Sequence, residues 1–378
     1  MFDEARLDDV QALELVDTRG SLKALASAGA HVRTMVRSTR EAGLERLADL
    51  RPRGIVVAAA GGSAAVADIL EGATRMSGAI PVQTCPAGPL PGWVGALDLV
   101  IAVSQSGRAA GALSLVAEAA RRGASVLTVG APDSPLADVS AQARGLHVPV
   151  SVSGASSRTS LWAQVTPVLM AAEAVGLMPV RPEIWEALAD ALDERAQEAR
   201  PASESFVNPA KILAIEIVES TPILLGSGPL GGVAVRRASA MLGRTGRVPV
   251  AFGTLPDAAS QIVACFDGPL TGGGRGDEDI FADPFLDAPP RPPLRLILLR
   301  DLSPEGAASR PLSDRVMAAA EDAGVRVSLL DAESPEPLLR LARHVALTDF
   351  AATYLALGHG LDPADSPHTR LLGDQRPA

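Results

Sequence analysis

Gly54-Ile55-Val56-Val57-Ala58-Ala59-Ala60-Gly61-Gly62-Ser63-Ala64 decides the fold: a short β-branched run, a glycine pair with a serine, then a small-residue helix over 64–70. The pattern returns where the apolar run 97–103 meets Ser104-Gln105-Ser106-Gly107 ahead of a helix over 108–122. Residues 123–130 read as a third strand and 147–152 as a fourth. Strands alternating with helices predict a parallel, doubly wound sheet.

Upstream, apolar residues recur at helical spacing over 16–50, which predicts leading helices. Downstream, a helical stretch over 160–177 runs into Met178-Pro179-Val180-Arg181-Pro182 and a charged helix over 183–200, where the domain boundary is placed. A second set opens at Thr221-Pro222-Ile223-Leu224-Leu225-Gly226-Ser227-Gly228, continues with a helix over 231–242, and adds strands over 248–252, 295–299 and 326–330. With 378 residues the chain exceeds what one hydrophobic core supports. The expected fold is therefore α/β, with two doubly wound parallel-sheet domains of three α/β/α layers over 1–180 and 181–378. Residues 268–293, which include Gly272-Gly273-Gly274 and Pro289-Pro290-Arg291-Pro292-Pro293, read as an exposed loop, and the polar tail 363–378 as a fraying end apart from a short helix.

Composition narrows the function. The 34 basic against 44 acidic residues give a net charge of −10, and no cationic stripe is present to track a nucleic-acid backbone. An aromatic share of 3% leaves few stacking platforms for single strands or carbohydrate polymers, so small ligands are favoured. Cys85 and Cys265 carry neither zinc-site spacing nor disulfide density, which fits a reducing cytoplasm and no metal. The acidic start and the lack of a long apolar run imply a soluble cytoplasmic protein, without signal peptide or membrane span.

A phosphate monoester needs hydroxyl and backbone N–H donors at a positive dipole end, and a Gly-Ser turn opening a helix supplies both. Gly61-Gly62-Ser63 and Ser104-Gln105-Ser106-Gly107 are two such turns, and adjacent parallel strands would bring them to one crevice. Each could equally be a plain turn and cap. No Gly-x-Gly-x-x-Gly follows the first strand, and neither Lys23 nor Lys211, the chain's two lysines, stands in a Walker A loop. No cofactor is expected.

On these residues the chain resembles the sugar-isomerase (SIS) domain family, in its bifunctional phosphoglucose/phosphomannose isomerase branch. That branch's Gly-Met-Gly-Gly-Ser-Ala-Ile-Gly-Gly-Asp is similar to 59–68, matching Gly61, Gly62, Ser63 and Asp68. Its Ser-Tyr-Ser-Gly-Asn-Thr is similar to 104–109, keeping Ser104, Ser106 and Gly107 but with Arg108 and Ala109 in place of Asn and Thr. The family's Glu-Thr falls on Gly111-Ala112, and its Gly-x-Gln-Pro-Arg resembles Gly154-Ala155-Ser156-Ser157-Arg158, keeping the arginine. The segment 225–237 looks like the family's second-domain opening, and 349–357 with Gly360-Leu361-Asp362-Pro363 like its closing helix.

The resemblance implies a phosphosugar ligand held by Gly61, Gly62, Ser63, Ser104, Ser106, Gly107 and Arg158, and a homodimer. It also places the family's catalytic glutamate on Arg244 and its ring-opening histidine on Ser260. Arginine stays protonated at working pH and serine has no proton affinity near neutrality, so neither takes over the proton transfer of aldose–ketose isomerisation. The family's late lysine falls near Gly373, with Arg370 close by. Asp257, Glu216, His31, His147, His344, His359 and His368 are the other acids and bases weighed, each read as structural or solvated. Three functions follow: a phosphosugar-binding protein of hexose or mannose phosphate metabolism, an active glucose-6-phosphate/mannose-6-phosphate isomerase with rearranged groups, or a scaffolding homologue with a vestigial site.

Overall fold

The computed structural model describes residues 2–75, 78, 80–152, 156–179, 181–228, 230–271, 292–303 and 306–374. Val180, Gly154 and Ala155, Pro229, residues 272–291 of the expected loop and the last four residues of the tail lie outside that range, as does the side chain of Arg370. The chain divides into two compact units, Arg19–Ala196 and Met1–Thr18 together with Gln197–Ala378.

Helix α1, Val10–Val16, belongs to the second of these, and α2, Ser21–Ala26, and α3, Ala28–Glu41, open the first. There, β1 (Ile55–Ala59), α4 (Ala64–Thr74), β2 (Val82–Thr84), β3 (Leu99–Ser104), α5 (Ala110–Arg121), β4 (Ser125–Gly130), α6 (Pro135–Gln142) and β5 (Leu146–Pro149) follow in turn. Helices α7, Leu161–Ala174, and α8, Glu183–Glu198, complete the unit. All five strands are parallel in the order β2-β1-β3-β4-β5. Every residue of β1 and β3 is buried, so their unbroken Val, Ile, Leu and Ala runs face protein on both sides of the sheet. Because β2 lies on one side of β1 and β3 on the other, the chain reverses direction across the sheet between β1 and β3.

The second unit repeats the plan with α9 (Pro209–Val218), β6 (Thr221–Gly226), α10 (Gly231–Met241), β7 (Ala251–Thr254), α11 (Ala259–Ala264), β8 (Leu294–Asp301), α12 (Arg310–Asp322), β9 (Arg326–Ala332), α13 (Pro337–Gly358) and α14 (Pro367–Asp374). Its four parallel strands run β7-β6-β8-β9, with the reversal between β6 and β8. The long α13 packs on α9 and α10 and is buried along most of its length. Its Asp349 accepts two hydrogen bonds from Arg237 of α10, at 3.1 and 2.8 Å, with side-chain exposures of 5% and 4%. No helix among the described residues is long and apolar enough to cross a membrane.

The unit boundaries differ from 1–180 and 181–378, and close contacts explain why. A Cβ on Gly29 of α3 would lie 2.6 Å from the Ala189 carbonyl, so α3 and α8 meet backbone to backbone. Arg33 adds ion pairs to Glu186, Asp190 and Asp193 of α8. The chain's first residues instead join the second unit: the Asp3 N–H donates to the Gly358 carbonyl at 2.9 Å, and Asp8 accepts from Ser205 and from the fully buried Lys211.

Two strand readings also shift, and one short strand went unread. The strand read over 248–252 is β7 at Ala251–Thr254, because Leu242–Gly246 prolong α10 as a π-turn and Arg247 then takes a left-handed φ of 63°. The strand read over 147–152 ends at Pro149, and the three-residue β2 had no readable signal.

Replacing Arg237 by Met leaves the Asp349 carboxylate buried without its partner, and the unfolding free energy in urea is expected to fall by about 3–5 kcal/mol. The double variant Arg237→Met/Asp349→Leu should recover most of that loss, since it removes both charges together.

Candidate functional site

In the first unit, β1 and β3 pair in register from Ile55↔Leu99 to Ala59↔Val103, so the turns that follow them emerge side by side at the carboxyl edge of the sheet. This is the switch point, where open α/β sheets form their ligand crevices. Gly61-Gly62-Ser63 makes one 3₁₀ turn before α4, and Gln105-Ser106-Gly107 leads into α5. Neither α4 nor α5 is capped by a side chain, so their first-turn N–H groups and positive dipole ends face this edge.

Glycine is required at two points. Gly61 has φ +61° with open space where a Cβ would project, leaving its backbone approachable. Gly107 has φ +65° and lies so close to Ser134 that a Cβ would come within 2.1 Å of its Oγ.

The segment Ser156–Ser160 closes over both turns. Ser157 fills the space beside Gly62, where a Cβ would sit 2.0 Å from its Oγ. Ser160 Oγ lies 3.0 Å from Gln105 Oε1 and 2.7 Å from the Ser156 carbonyl. Arg158, half-buried, stands between these two contacts, so the retained arginine is carried at the crevice.

The serines differ in what they can offer. Ser63 is 3% exposed, and its Oγ donates to Gln164 Oε1 at 2.5 Å. The orientation of Gln164 is set by its Nε2, which donates toward the Ser160 carbonyl and Oγ at 3.4 and 3.2 Å. The one Ser63 proton is thus spent inside the protein. Ser104 Oγ, also buried, accepts from the Ala109 N–H at 3.3 Å, and the exposed Ser106 Oγ accepts from the Arg108 N–H at 3.3 Å. In both, the hydroxyl proton is not committed by that bond. The second turn therefore keeps hydroxyl protons not used by these bonds, and Ser63 ties the start of α4 to α7. Gln164 and Ser157 gave no signal in the sequence, because their roles arise only when α7 and its preceding segment fold over the turns.

The positions read for catalysis lie in the second unit. Arg244 sits half-buried in the π-turn after α10, and burial together with the nearby Arg237 cation lowers its pKa from the usual arginine value. Ser260 is exposed in the first turn of α11. Of the other acids and bases, Glu216 accepts from Ser328 and pairs with Arg295, His147 bonds Thr128 at 2.8 Å, and His359 meets Phe2 edge-on. Burial lowers the pKa of both His31 and His147. Asp257 is exposed, whereas His344 is buried in α13. No group of three or more His, Cys, Asp or Glu is placed to hold a metal among the described residues.

Residues 206–374 match the family described as bacterial phospho-glucose isomerase C-terminal SIS domain. No curated protein matches the chain. Among solved structures, a candidate phosphosugar isomerase from Clostridium difficile 630 superposes with a TM-score of 0.69 at 10% identity, covering 94% of this chain and 97% of that one. Glucosamine-6-phosphate deaminase from Thermotoga maritima gives 0.63 at 12% identity, with 92% and 97% covered. A glucose-6-phosphate isomerase like protein from Thermus thermophilus gives 0.56 at 19% identity, with 99% of each chain covered. The fold is that of the SIS phosphosugar isomerases, in two parallel-sheet units.

Replacing Gln164 by Leu leaves the Ser63 hydroxyl buried without its acceptor, and a loss of about 1–3 kcal/mol in urea unfolding is expected. Gly107→Ala should cost a similar amount, about 1–3 kcal/mol, through its left-handed φ and the overlap with Ser134.

Proposed function

We infer that the chain binds a sugar phosphate in the β1/β3 crevice and does not isomerise it. The observation that carries this reading is the convergence of two glycine–serine turns and the Arg158 segment at one switch point, beneath two uncapped helix ends. A phosphate dianion there meets first-turn N–H groups, the Ser104 and Ser106 hydroxyls and a cationic segment, the donor set such a group requires. The names of the solved structures, all phosphosugar proteins, support the ligand class.

The second half of the reading rests on Arg244 and Ser260. If they stand where the family resemblance puts them, a permanent cation replaces the base and a hydroxyl replaces the ring-opening imidazole. The match of 206–374 to the isomerase C-terminal domain supports that alignment without fixing the two positions. The resemblance also implies a homodimer, which light scattering on the purified chain would test.

Fructose 6-phosphate at millimolar concentration is expected to raise the thermal midpoint by several degrees, because occupancy at about 100 times Kd adds about 2.7 kcal/mol. Arg158→Ala should abolish that shift, and a coupled isomerase assay should stay flat in wild type. Absence of any shift with hexose phosphates would overturn the binding reading, and turnover would overturn the claim of lost catalysis.

A further inference from the structure

Residues 2–18 precede the first unit in the chain yet pack on the second. Leu7 and Leu13, at 0% and 1% exposure, anchor the 3₁₀ turn Ala5–Asp8 and helix α1 there. The polar contacts of the segment gather at two places, α9 and the C-terminal end of α13. We propose that this segment is a latch that governs the π-turn Leu242–Gly246, so that releasing it loosens the turn on which Arg244 stands. The coupling lies wholly within the second unit and does not depend on ligand binding in the β1/β3 crevice.

At α9, Lys211 is fully buried, with Nζ 5.5 Å from the centre of the Tyr354 ring. It donates to the Pro201 and Ser203 carbonyls at 2.8 and 2.6 Å, and Asp8 supplies a carboxylate at 3.3 Å. Asp8 also accepts from the Ser205 N–H at 2.7 Å and from its hydroxyl at 2.8 Å. A buried ammonium stripped of its carboxylate is strongly disfavoured, so undocking residues 2–18 disturbs the second unit directly.

At α13 the latch meets the end of the helix. Arg6 Nη1 donates to the Gly358 carbonyl at 2.9 Å and toward the Leu357 carbonyl at 3.4 Å, which places a cation at the negative dipole end. Phe2 occupies the space that Gly358 leaves, where a Cβ would come within 2.2 Å of its ring, and meets His359 edge-on. Thr18, the last residue of the segment, donates through Oγ1 to the Asp362 carboxylate just beyond the helix.

The same stretch supports the π-turn. Arg247 Nη2 donates to the Asp362 and Asp365 carbonyls, and Nη1 to the Thr245 carbonyl at 2.8 Å. Helix α13 approaches the turn so closely that a Cβ on Gly246 would lie 3.0 Å from Leu355 Cδ2 and 3.4 Å from the Ala352 carbonyl. A π-turn followed by an arginine with a left-handed φ of 63° is an uncommon conformation, kept by such surrounding contacts. Asp362 is common to both sides, receiving Thr18 on its carboxylate and Arg247 on its carbonyl.

Hydrogen–deuterium exchange of the full chain tests the coupling. Asp8→Asn removes the carboxylate at Lys211, Arg6→Ala the cation at α13, and Thr18→Val the hydroxyl at Asp362. In Asp8→Asn and Arg6→Ala, amides over 5–13 are expected to exchange about tenfold to a hundredfold faster, the effect of losing a hydrogen bond to a charged group. Residues 242–247 should rise with them, and about tenfold in Thr18→Val, while still exchanging faster than β6 and β8. Slow exchange retained in β6 and β8 shows that the unit is folded. No change over 5–13 in either Asp8→Asn or Arg6→Ala overturns the latch, and a rise over 5–13 with 242–247 unchanged overturns the coupling. So does exchange of 242–247 at the same rate as β6 and β8 throughout, because the turn then opens only when the whole unit unfolds. Should Asp8→Asn fail to fold, Thr18→Val, which leaves Lys211 paired, decides: faster exchange over 242–247 upholds the coupling, and the wild-type rate overturns it.

Discussion

The parallel pairing of β1 with β3 is the constraint on which the candidate site depends. Five residues of register, Ile55 to Ala59 against Leu99 to Val103, end both strands at the same level, so two turns 40 residues apart in sequence open at one edge. The pairing is held by burial on both faces: each side chain of these strands is withdrawn from water, and a slip of one residue would move the turns out of step. Everything proposed for ligand binding in the first unit is built on that alignment.

Within the crevice the hydroxyls divide by where their protons go. Ser63 donates into the interior, to an amide whose direction is fixed by a backbone carbonyl, and its work is to join α4 to α7. Ser104 and Ser106 accept from backbone N–H groups of their own turn, bonds that do not use their protons. Hydroxyls that read as one uniform donor set thus separate into one bonded to another side chain and two bonded within their own turn. The same economy appears at Gly62 and Gly107, where a missing side chain makes room for Ser157 and Ser134.

The second unit uses the same plan with different polarity. At the end of β8 in its switch point stands a carboxylate, Asp301, whereas the residues described around the first crevice are serine, glycine and arginine. Asp301 is paired with Arg340. The repeated architecture therefore does not repeat the polar residues found at the reversal of strand order.

The strand–turn–helix order, the parallel sheets and the two glycine–serine turns were legible in the residues themselves, because hydrophobic periodicity and turn chemistry act over a few neighbours. Element ends were less legible: nothing local announced the π-turn at Leu242–Gly246 that delays β7. What the sequence could not decide are the contacts between distant segments: Gln164 on Ser63, 101 residues away, Ser157 on Gly62, and Arg340 on Asp301. Those pairings exist only once the sheets bring helices and turns together, and they determine which hydroxyl keeps its proton and where a buried charge is placed.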